Sequence, residues 1–305
     1  MKKKGDYVQF YNDAKTFSWS FGEDFMRFVM EGEIIANGNI QSLVNYNQLI
    51  PEGKGCFALL FYNCKALIKA PSLLATTLGK YCYANMFVGC TNLKQPPALP
   101  ATELTDSCYT SMFSGCTSLE LAPALPATTL ANRCYQYMFD SCTSLKAAPS
   151  LPATTLKEKC YLGMFKKCTS LKETPDLPAL TLTEFCYSGM FRECTNIQNT
   201  PIISATKLAK GCCENMFYGC ISLRNGPTLN ANSLELNAYN YMFQGCTQLS
   251  NITVKFTIWA EDNSYNLKWM DNVSKIGSFY KPESLPSILD DNHIPSGWTI
   301  NNIQL

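Results

Sequence analysis

The sequence contains one histidine, His293, and no Cys-x-x-Cys pair. Cysteine catalysis needs a neighbouring base, and one histidine near the C-terminus cannot serve a motif that recurs along the chain. The cysteine spacings alternate between 8 and 18 residues, which does not match the ligand spacing of zinc sites. We therefore expect no catalytic residues, no metal site and no cofactor, and we predict that the protein is not an enzyme.

Neither sign of charge is in excess, because 25 Lys and Arg stand against 24 Asp and Glu. This balance gives no electrostatic case for a nucleic-acid or anionic-membrane partner. No apolar run reaches the length of a transmembrane helix, so we expect no membrane insertion. The basic start "MKKKGDYVQF" has no apolar h-region behind it, so no signal peptide is visible. The 46% of apolar residues predict a folded chain.

What the chain does have is a 26-residue repeat. The dipeptide Met-Phe begins at Met86, Met112, Met138, Met164, Met190, Met216 and Met242, and Leu60-Phe61 takes its place one step upstream. Eight copies at one period predict a solenoid in which each coil contacts only its neighbours. We divide the chain into an N-terminal β cap (1–50), a solenoid of eight repeats (51–250) and a C-terminal capping segment (251–305).

The fourth copy, "CYQYMFDSCTSLKAAPSLPATTL" (134–156), shows the local pattern. Its apolar positions recur at i, i+1, i+4, i+5 and i+8, which is one face of an α-helix. This structural stripe consists of Cys134, Tyr135, Met138, Phe139, Cys142 and Leu145. Pro149 and Pro152 exclude helix from the second half and keep its strand short. Helices stack at about 8–10 Å and strands at about 4.8 Å. We therefore predict a curved α/β solenoid with short parallel strands on the concave side and helices on the convex side.

The sixteen cysteines raise the alternatives of disulfides, metal binding or plain packing. A disulfide needs Cα atoms within about 7 Å, whereas eight residues of helix span about 12 Å. Neighbouring helices would lie about 8–10 Å apart, which is also a poor fit. We favour free, buried thiols that pack as small hydrophobic side chains over the other two alternatives.

The phrase "MFxxCTSLxxAPxLPATTLxxxCYxx" resembles the BspA-like leucine-rich repeats of Bacteroides-type gut bacteria and their associated phages and mobile elements. The shared core is F-x-x-C-x-x-L, here Phe139, Cys142 and Leu145, and the resemblance covers about residues 55–250. The segments 4–10, 38–44 and 277–300 are also similar to the ends of that family. The resemblance implies a leucine-rich-repeat fold, a location at the cell surface or outside the cell, and a function in adhesion or host interaction without enzymatic activity.

Both ends of a solenoid need covering. The alternation of Phe17, Trp19 and Phe21 predicts a strand with one buried face, and "FMRFVM" (25–30) and "EIIANGNI" (33–40) predict further strands with a turn at Asn37–Gly38.

At the other end, "ITVKFTIW" (252–259) begins as a repeat strand. We predict that "LKWMDNV" (267–273) replaces a helix with Trp269 and Val273 facing inward, and that "GSFYK" and "GWTI" close the stack as short strands.

Two sets of side chains are candidate partner contacts. On the predicted strand face, the position after the strand-opening Leu or Ile carries Lys94, Lys146, Lys172 and Arg224. On the predicted helical side, larger aromatic rings occupy positions that are polar or small in other copies, namely Tyr137, Phe185, Tyr218 and Tyr241. The column of basic side chains on the strand face could attract an anionic polymer, but an ordinary solvated surface is the simpler interpretation.

Two functions follow from these patterns. The first is a surface-type binding module for a protein or glycan of unknown identity, and the drift of "NTPIISATKL" (199–208) and "NGPTLNANSL" (225–234) from the repeat favours it. The alternative is a rigid structural spacer within a larger surface or virion protein, which the near-identity of copies three to five favours. For either function we expect a monomer.

Overall fold

A computed structural model of the chain describes residues 27–43, 55–259 and 265–304. Its regular elements are β1 (Ile34–Ile35), a 3-10 helix (Ile40–Leu43), β2 (Leu67–Lys69), β3 (Asn225–Leu229), β4 (Asn251–Val254), β5 (Gly277–Pro282) and β6 (Trp298–Ile303). β1 pairs with β2, and the other strands form a four-stranded sheet in the order β3-β4-β5-β6. All these pairings are parallel. The described chain is thus a repeat solenoid with parallel strands, as predicted.

Between β2 and β3 the strand wall consists of isolated parallel bridges. Leu121 pairs with Ala147, and Ala147 pairs with Glu173, one residue in each coil. Prolines two residues further on in each coil have no N–H to extend the ladder. Where the prolines are lost, as in the sequence NITV of β4, a strand of 4 residues forms. β3 keeps Pro227 within 5 residues, and its register with β4 shifts between Asn225 and Thr228, across that proline. The prediction of very short strands in the proline-bearing copies agrees with the wall between β2 and β3.

The other wall corrects the helix prediction, since the described residues contain no α-helix there. In coil four, the N–H of Met138 closes a turn on the carbonyl of Tyr135 at 3.2 Å. The next N–H, that of Phe139, instead reaches the carbonyl of Met164 in the following coil at 2.9 Å. This alternation runs through the whole segment, so every second amide joins two coils. We call this surface the turn wall.

Backbone conformation explains why the turn wall is not helical. In coil four the φ angles of Arg133, Tyr137 and Ser141 are 55°, 52° and 60°. A right-handed α-helix does not contain residues with positive φ. A left-handed residue at every fourth position instead yields successive turns with a four-residue period. Successive four-residue turns place residues i, i+4 and i+8 on one side, as an α-helix also does. The apolar pattern alone therefore favoured a helix where the chain forms turns.

The predicted curvature rested on helices lying further apart than strands. Both walls are in fact joined from coil to coil by backbone hydrogen bonds, and on the turn wall Phe139 N lies 2.9 Å from Met164 O. The difference in spacing on which the prediction of a concave strand side depended is therefore absent.

The core consists of identical side chains stacked in columns. The Phe139 ring lies between those of Phe113 and Phe165, with both centroids 5.6 Å away. Tyr135 stacks between Tyr109 and Tyr161 at 5.9 and 5.8 Å. All six residues of the structural stripe are buried. All sixteen cysteines are free and buried, in agreement with the predicted packing function.

The ends of the stack differ from its repeats. At the N-terminal end, the N–H of Phe28 donates to Leu60 O at 2.8 Å, and Gly38 forms the bend of the predicted turn with φ 87°. The predicted strand around Phe17–Phe21 lies outside the described residues. At the C-terminal end, Trp269 is fully buried and Val273 packs against the core as predicted.

The two closing strands predicted at the C-terminal end are present as β5 and β6. In the part of the chain that the structure describes, no helix is long and apolar enough to cross a membrane.

Candidate binding surface on the strand wall

The four predicted basic contacts, Lys94, Lys146, Lys172 and Arg224, are all exposed on the strand wall. Lys146 forms an ion pair with Glu120 in the same column of the preceding coil, with Nζ and Oε2 2.5 Å apart. The hydrogen bond and charge of Lys146 lower the pKa of Glu120. An acidic residue therefore interrupts the column between Lys94 and Lys146, so it is not one continuous cationic stripe.

Three asparagines form a side-chain ladder beside the C-terminal end of this column. The Asn225 Nδ2 donates to Asn199 Oδ1 at 2.8 Å, and the Asn251 Nδ2 donates to Asn225 Oδ1. The backbones of the three residues are also paired in parallel. Each ladder contact uses one of the two N–H donors of an amide, so the other remains to be offered outward. The ladder thus presents amide groups at fixed spacing.

An exposed apolar side chain lies on the same part of the wall. Ile202 is 66% exposed, and its backbone N–H donates to the Asp176 carboxylate at 3.3 Å. Thr228, one coil further, and Arg224 are also exposed. An apolar group, a guanidinium and ordered amides on adjacent coils are the kinds of groups that anchor protein interfaces. We call Asn199, Ile202, Arg224, Asn225, Thr228 and Asn251 the late-coil patch.

The earlier coils offer two open depressions instead of a patch. One, of ≈ 400 Å³, is lined by Pro96, Pro97, Ala98, Leu99, Pro100, Pro123, Ala124 and Pro126. The other, of ≈ 390 Å³, is lined by Ala147, Ala148, Ser150, Leu151, Pro152, Glu173, Thr174, Pro175, Asp176 and Pro178. Both are wide and shallow, unlike the enclosed clefts that bury most of a small ligand.

The four predicted aromatic contacts lie on the turn wall, away from the basic column, and all are half-buried. A Cβ atom on Gly163 would lie 2.2 Å from the Cε1 atom of the Tyr137 ring. The Phe185 ring covers Gly211 in the same way at 2.3 Å. These rings fill the space that a glycine leaves in the next coil, which is a packing function.

Cations from the turn wall cover three of these rings. Lys166 Nζ lies 6.0 Å from the Tyr137 centroid and Lys159 Nζ lies 5.3 Å from that of Phe185. The Arg192 guanidinium carbon lies 4.4 Å from the Tyr218 centroid, which is a close cation–π contact. The eight predicted contact residues are thus divided between two walls and do not form one site.

The candidate contacts predicted from the sequence did not include the asparagine ladder. The signal was present, because Asn199, Asn225 and Asn251 are identical residues one repeat apart. The exposure of Ile202 is predicted by its position after the proline, but Ile202 was not among the candidate contacts. Its column is alanine in two earlier copies, at Ala98 and Ala124.

Nucleophilic chemistry has little support in the geometry. Burial raises the pKa of the thiols of Cys90, Cys108, Cys160 and Cys220 to about 12. Such thiols are protonated at neutral pH and inaccessible.

The side chain of the single histidine, His293, contacts other residues of the C-terminal cap. Its Nδ1 lies 2.7 Å from Asp290 Oδ1, and its ring meets that of Trp259 edge-on at 4.8 Å. Partial burial raises the pKa of Asp290, but the hydrogen bonds from His293 and from backbone N–H groups outweigh it, so that pKa lies below its usual value.

Comparison with models of known protein families finds no match to this chain, and no curated protein is significantly similar to it.

Proposed function

We propose that the chain is a non-enzymatic leucine-rich-repeat binding protein that engages a protein or glycan partner through the late-coil patch. The observation that carries this proposal is the joint exposure of Ile202, Arg224 and the asparagine ladder on adjacent coils. The basic column and the turn-wall aromatics contribute less, because Glu120 interrupts the first and neighbouring side chains cover the second.

The pattern of sequence variation supports this surface. The buried columns need the same side chain in each coil, because each ring or thiol packs on its equivalent. The exposed positions carry no such requirement. They differ most from the repeat in 199–208 and 225–234, and in the second of these segments the strand β3 replaces isolated bridges. Rigid presentation of variable groups limits the conformational entropy lost on binding.

We also propose that the chain is BspA-like and works at a cell surface or outside the cell. This proposal rests on the phrase F-x-x-C-x-x-L. In this chain the phrase has a packing logic, since Phe139 stacks on its equivalents, Cys142 donates to the preceding coil and Leu145 is buried. That logic accounts for the recurrence of the phrase and leaves the location and partner to experiment.

A binding screen of the purified chain tests the proposal. The panel contains mucin glycans and extracellular-matrix proteins, each at low and physiological salt. We expect saturable binding that survives physiological salt, because the patch combines apolar and amide groups with a single charge. The variant Ile202→Asp should weaken it about tenfold or more, as for a centrally placed contact. Thr128→Asp, on an exposed residue of another column, is the matched control. Equal binding by both variants would contradict the proposed surface.

A rigid spacer is the second candidate function. The observation in its favour is that the Phe column continues without interruption from Phe61 to Phe243. A stack joined on both walls resists bending at any one coil. Recovery of the chain within a larger assembly, together with a blank screen, would favour the spacer over the binder.

A further inference from the structure

The last strand of the sheet, β6, has one edge that no strand in the described part of the chain covers. It pairs with β5 through six successive residues, from Gly277↔Trp298 to Pro282↔Ile303. In the sheet order β3-β4-β5-β6 it stands at the end, and no other strand among the described residues pairs with it. Alternate residues of a strand direct their N–H and C=O groups to opposite edges. About half of the backbone polar groups of β6 therefore point away from the sheet.

This edge lacks the features that normally prevent strand pairing. Natural sheets protect such edges with charged residues, prolines or bulges. The sequence of β6 is WTINNI, with no charge and no proline, and its register with β5 is continuous over all six pairs. The surrounding segment 294–304 is also free of charged residues. An unprotected strand of this length is a ready template for another strand.

The side chains of β6 are compatible with pairing to an identical strand. Trp298 is buried and Ile300 packs against the core, so Thr299 and Asn301 face the other side of the sheet. An antiparallel pair centred on Ile300 places Ile300 opposite its equivalent, Thr299 opposite Asn301 and Trp298 opposite Asn302. Ile300 then meets an apolar side chain, and Thr299 and Asn301 meet polar ones, which are pairings that stabilise sheets.

We infer that the open edge of β6 binds β6 of a second copy of this chain, antiparallel about a two-fold axis. A two-fold contact uses the same patch on both copies, which the self-complementary strand allows. The formal charge of +1 gives little repulsion between copies. The two four-stranded sheets then join into one, with their core sides facing the same way. This dimer replaces the monomer expected from the sequence, and it does not depend on the proposed partner of the late-coil patch.

Sedimentation velocity over a concentration series of the purified chain tests this inference. We expect a reversible monomer–dimer equilibrium for the wild type. The double variant Thr299→Lys and Asn301→Lys brings lysines opposite lysines twice in the dimer, so its dissociation constant should rise about tenfold or more. The control variant Thr128→Lys and Asn232→Lys adds the same charge at exposed positions in other coils and should dimerise like the wild type.

Hydrogen exchange identifies the interface. Amides of β6 should gain protection with rising protein concentration in the wild type and in the control, and fail to gain it in the Thr299→Lys, Asn301→Lys variant. Equal thermal midpoints would show that all three proteins are folded. A wild type that stays monomeric throughout, or a dimer that the lysines on β6 leave unchanged, would overturn the inference. So would protection of β6 that does not vary with concentration, because that would place another segment on the edge.

Discussion

The thiol of Cys142 donates a hydrogen bond to the backbone carbonyl of Phe113, 3.1 Å away in the preceding coil. The equivalent contact recurs for Cys90, Cys116, Cys168, Cys194, Cys220 and Cys246. From the second repeat onward, the second cysteine thus does more than fill space, because it joins consecutive coils. This contact explains why the repeat carries cysteine there without a disulfide or a metal.

The first prediction concerns that bond. Cys142→Ala removes the S–H donor and leaves a small void, so it should lower the free energy of unfolding by about 1–2 kcal/mol. Cys134→Ala is the matched control, because the Cys134 thiol interacts with the backbone of its own coil. Chemical denaturation should show the smaller loss for Cys134→Ala. Equal losses would mean that packing alone accounts for both columns.

Thiol reactivity gives the second prediction. All sixteen cysteines are buried, so a thiol reagent at neutral pH should label the folded chain only as fast as coils open locally. In denaturant all sixteen should react. Rapid labelling of several thiols in the folded chain, measured by mass spectrometry, would contradict the buried columns.

Alkaline pH should destabilise the fold. Burial raises the pKa of the Cys90 thiol from 9.0 to about 12, and Cys108, Cys160 and Cys220 are shifted alike. A thiol with a raised pKa holds its proton longer in the folded state, so its contribution is complete below pH 9 and is lost as pH rises toward 12. The free energy of unfolding, measured by denaturation at successive pH values, should fall steadily above pH 9. A free energy of unfolding that does not change between pH 9 and pH 12 would contradict the raised pKa values of these thiols.

The phenylalanine column gives a local prediction. Phe139 is fully buried between two stacked rings, so Phe139→Ala should cost about 3–5 kcal/mol. Because coils contact only their neighbours, amides of coils three to five should lose protection first in hydrogen exchange. Lys146→Ala, exposed in the same coil, is the control and should leave the exchange pattern unchanged. Uniform loss of protection in all repeats after Phe139→Ala would argue against a nearest-neighbour solenoid.

A pair of glycines separates backbone strain from crowding. Gly163 and Gly189 have φ angles of 60° and 58°, so alanine at either should cost about 1 kcal/mol for its left-handed conformation. A Cβ on Gly163 would also lie 2.2 Å from the Tyr137 ring, whereas on Gly189 the nearest atom is Arg192 Cβ at 4.0 Å. Gly163→Ala should therefore lose about 1–3 kcal/mol more than Gly189→Ala.

The double variant Tyr137→Ala, Gly163→Ala provides the check on this interpretation. In the Tyr137→Ala background, where the ring is already absent, Gly163→Ala should cost only the amount shared with Gly189→Ala. An undiminished cost of Gly163→Ala in that background would show that the ring does not oppose the added Cβ.

The repeat determined most of the fold, because identical side chains at one period can be buried together only by stacking. The period therefore predicted the solenoid, the short strands and the inward Trp269. It did not distinguish a helix from successive turns, since both place every fourth residue on one face. A second signal was available in the three residues of each coil that have positive φ, which precede the first cysteine, the methionine and the second cysteine. Over the eight coils these are twenty-four positions, of which eight are glycine and four are asparagine. Glycine and asparagine are the residues that tolerate positive φ.

The candidate site was less accessible from sequence than the fold. Exposure of Lys94 or Arg224 follows from their place after a buried residue, so it could be predicted. The pairing of Lys146 with Glu120, the cover on Tyr218 and the asparagine ladder depend on which side chains meet across coils. Those contacts require a known register between coils, which the helix prediction did not supply.

Binding isotherms of one ligand from the screen, measured for wild type and two wall-specific variants, show which wall holds the partner. The variants are Ile202→Asp on the late-coil patch and Tyr137→Ala on the turn wall. We expect Ile202→Asp to weaken binding about tenfold or more at physiological salt and Tyr137→Ala to leave the affinity unchanged. Loss of binding in Tyr137→Ala with full affinity in Ile202→Asp would rule out the late-coil patch and assign the partner to the turn wall.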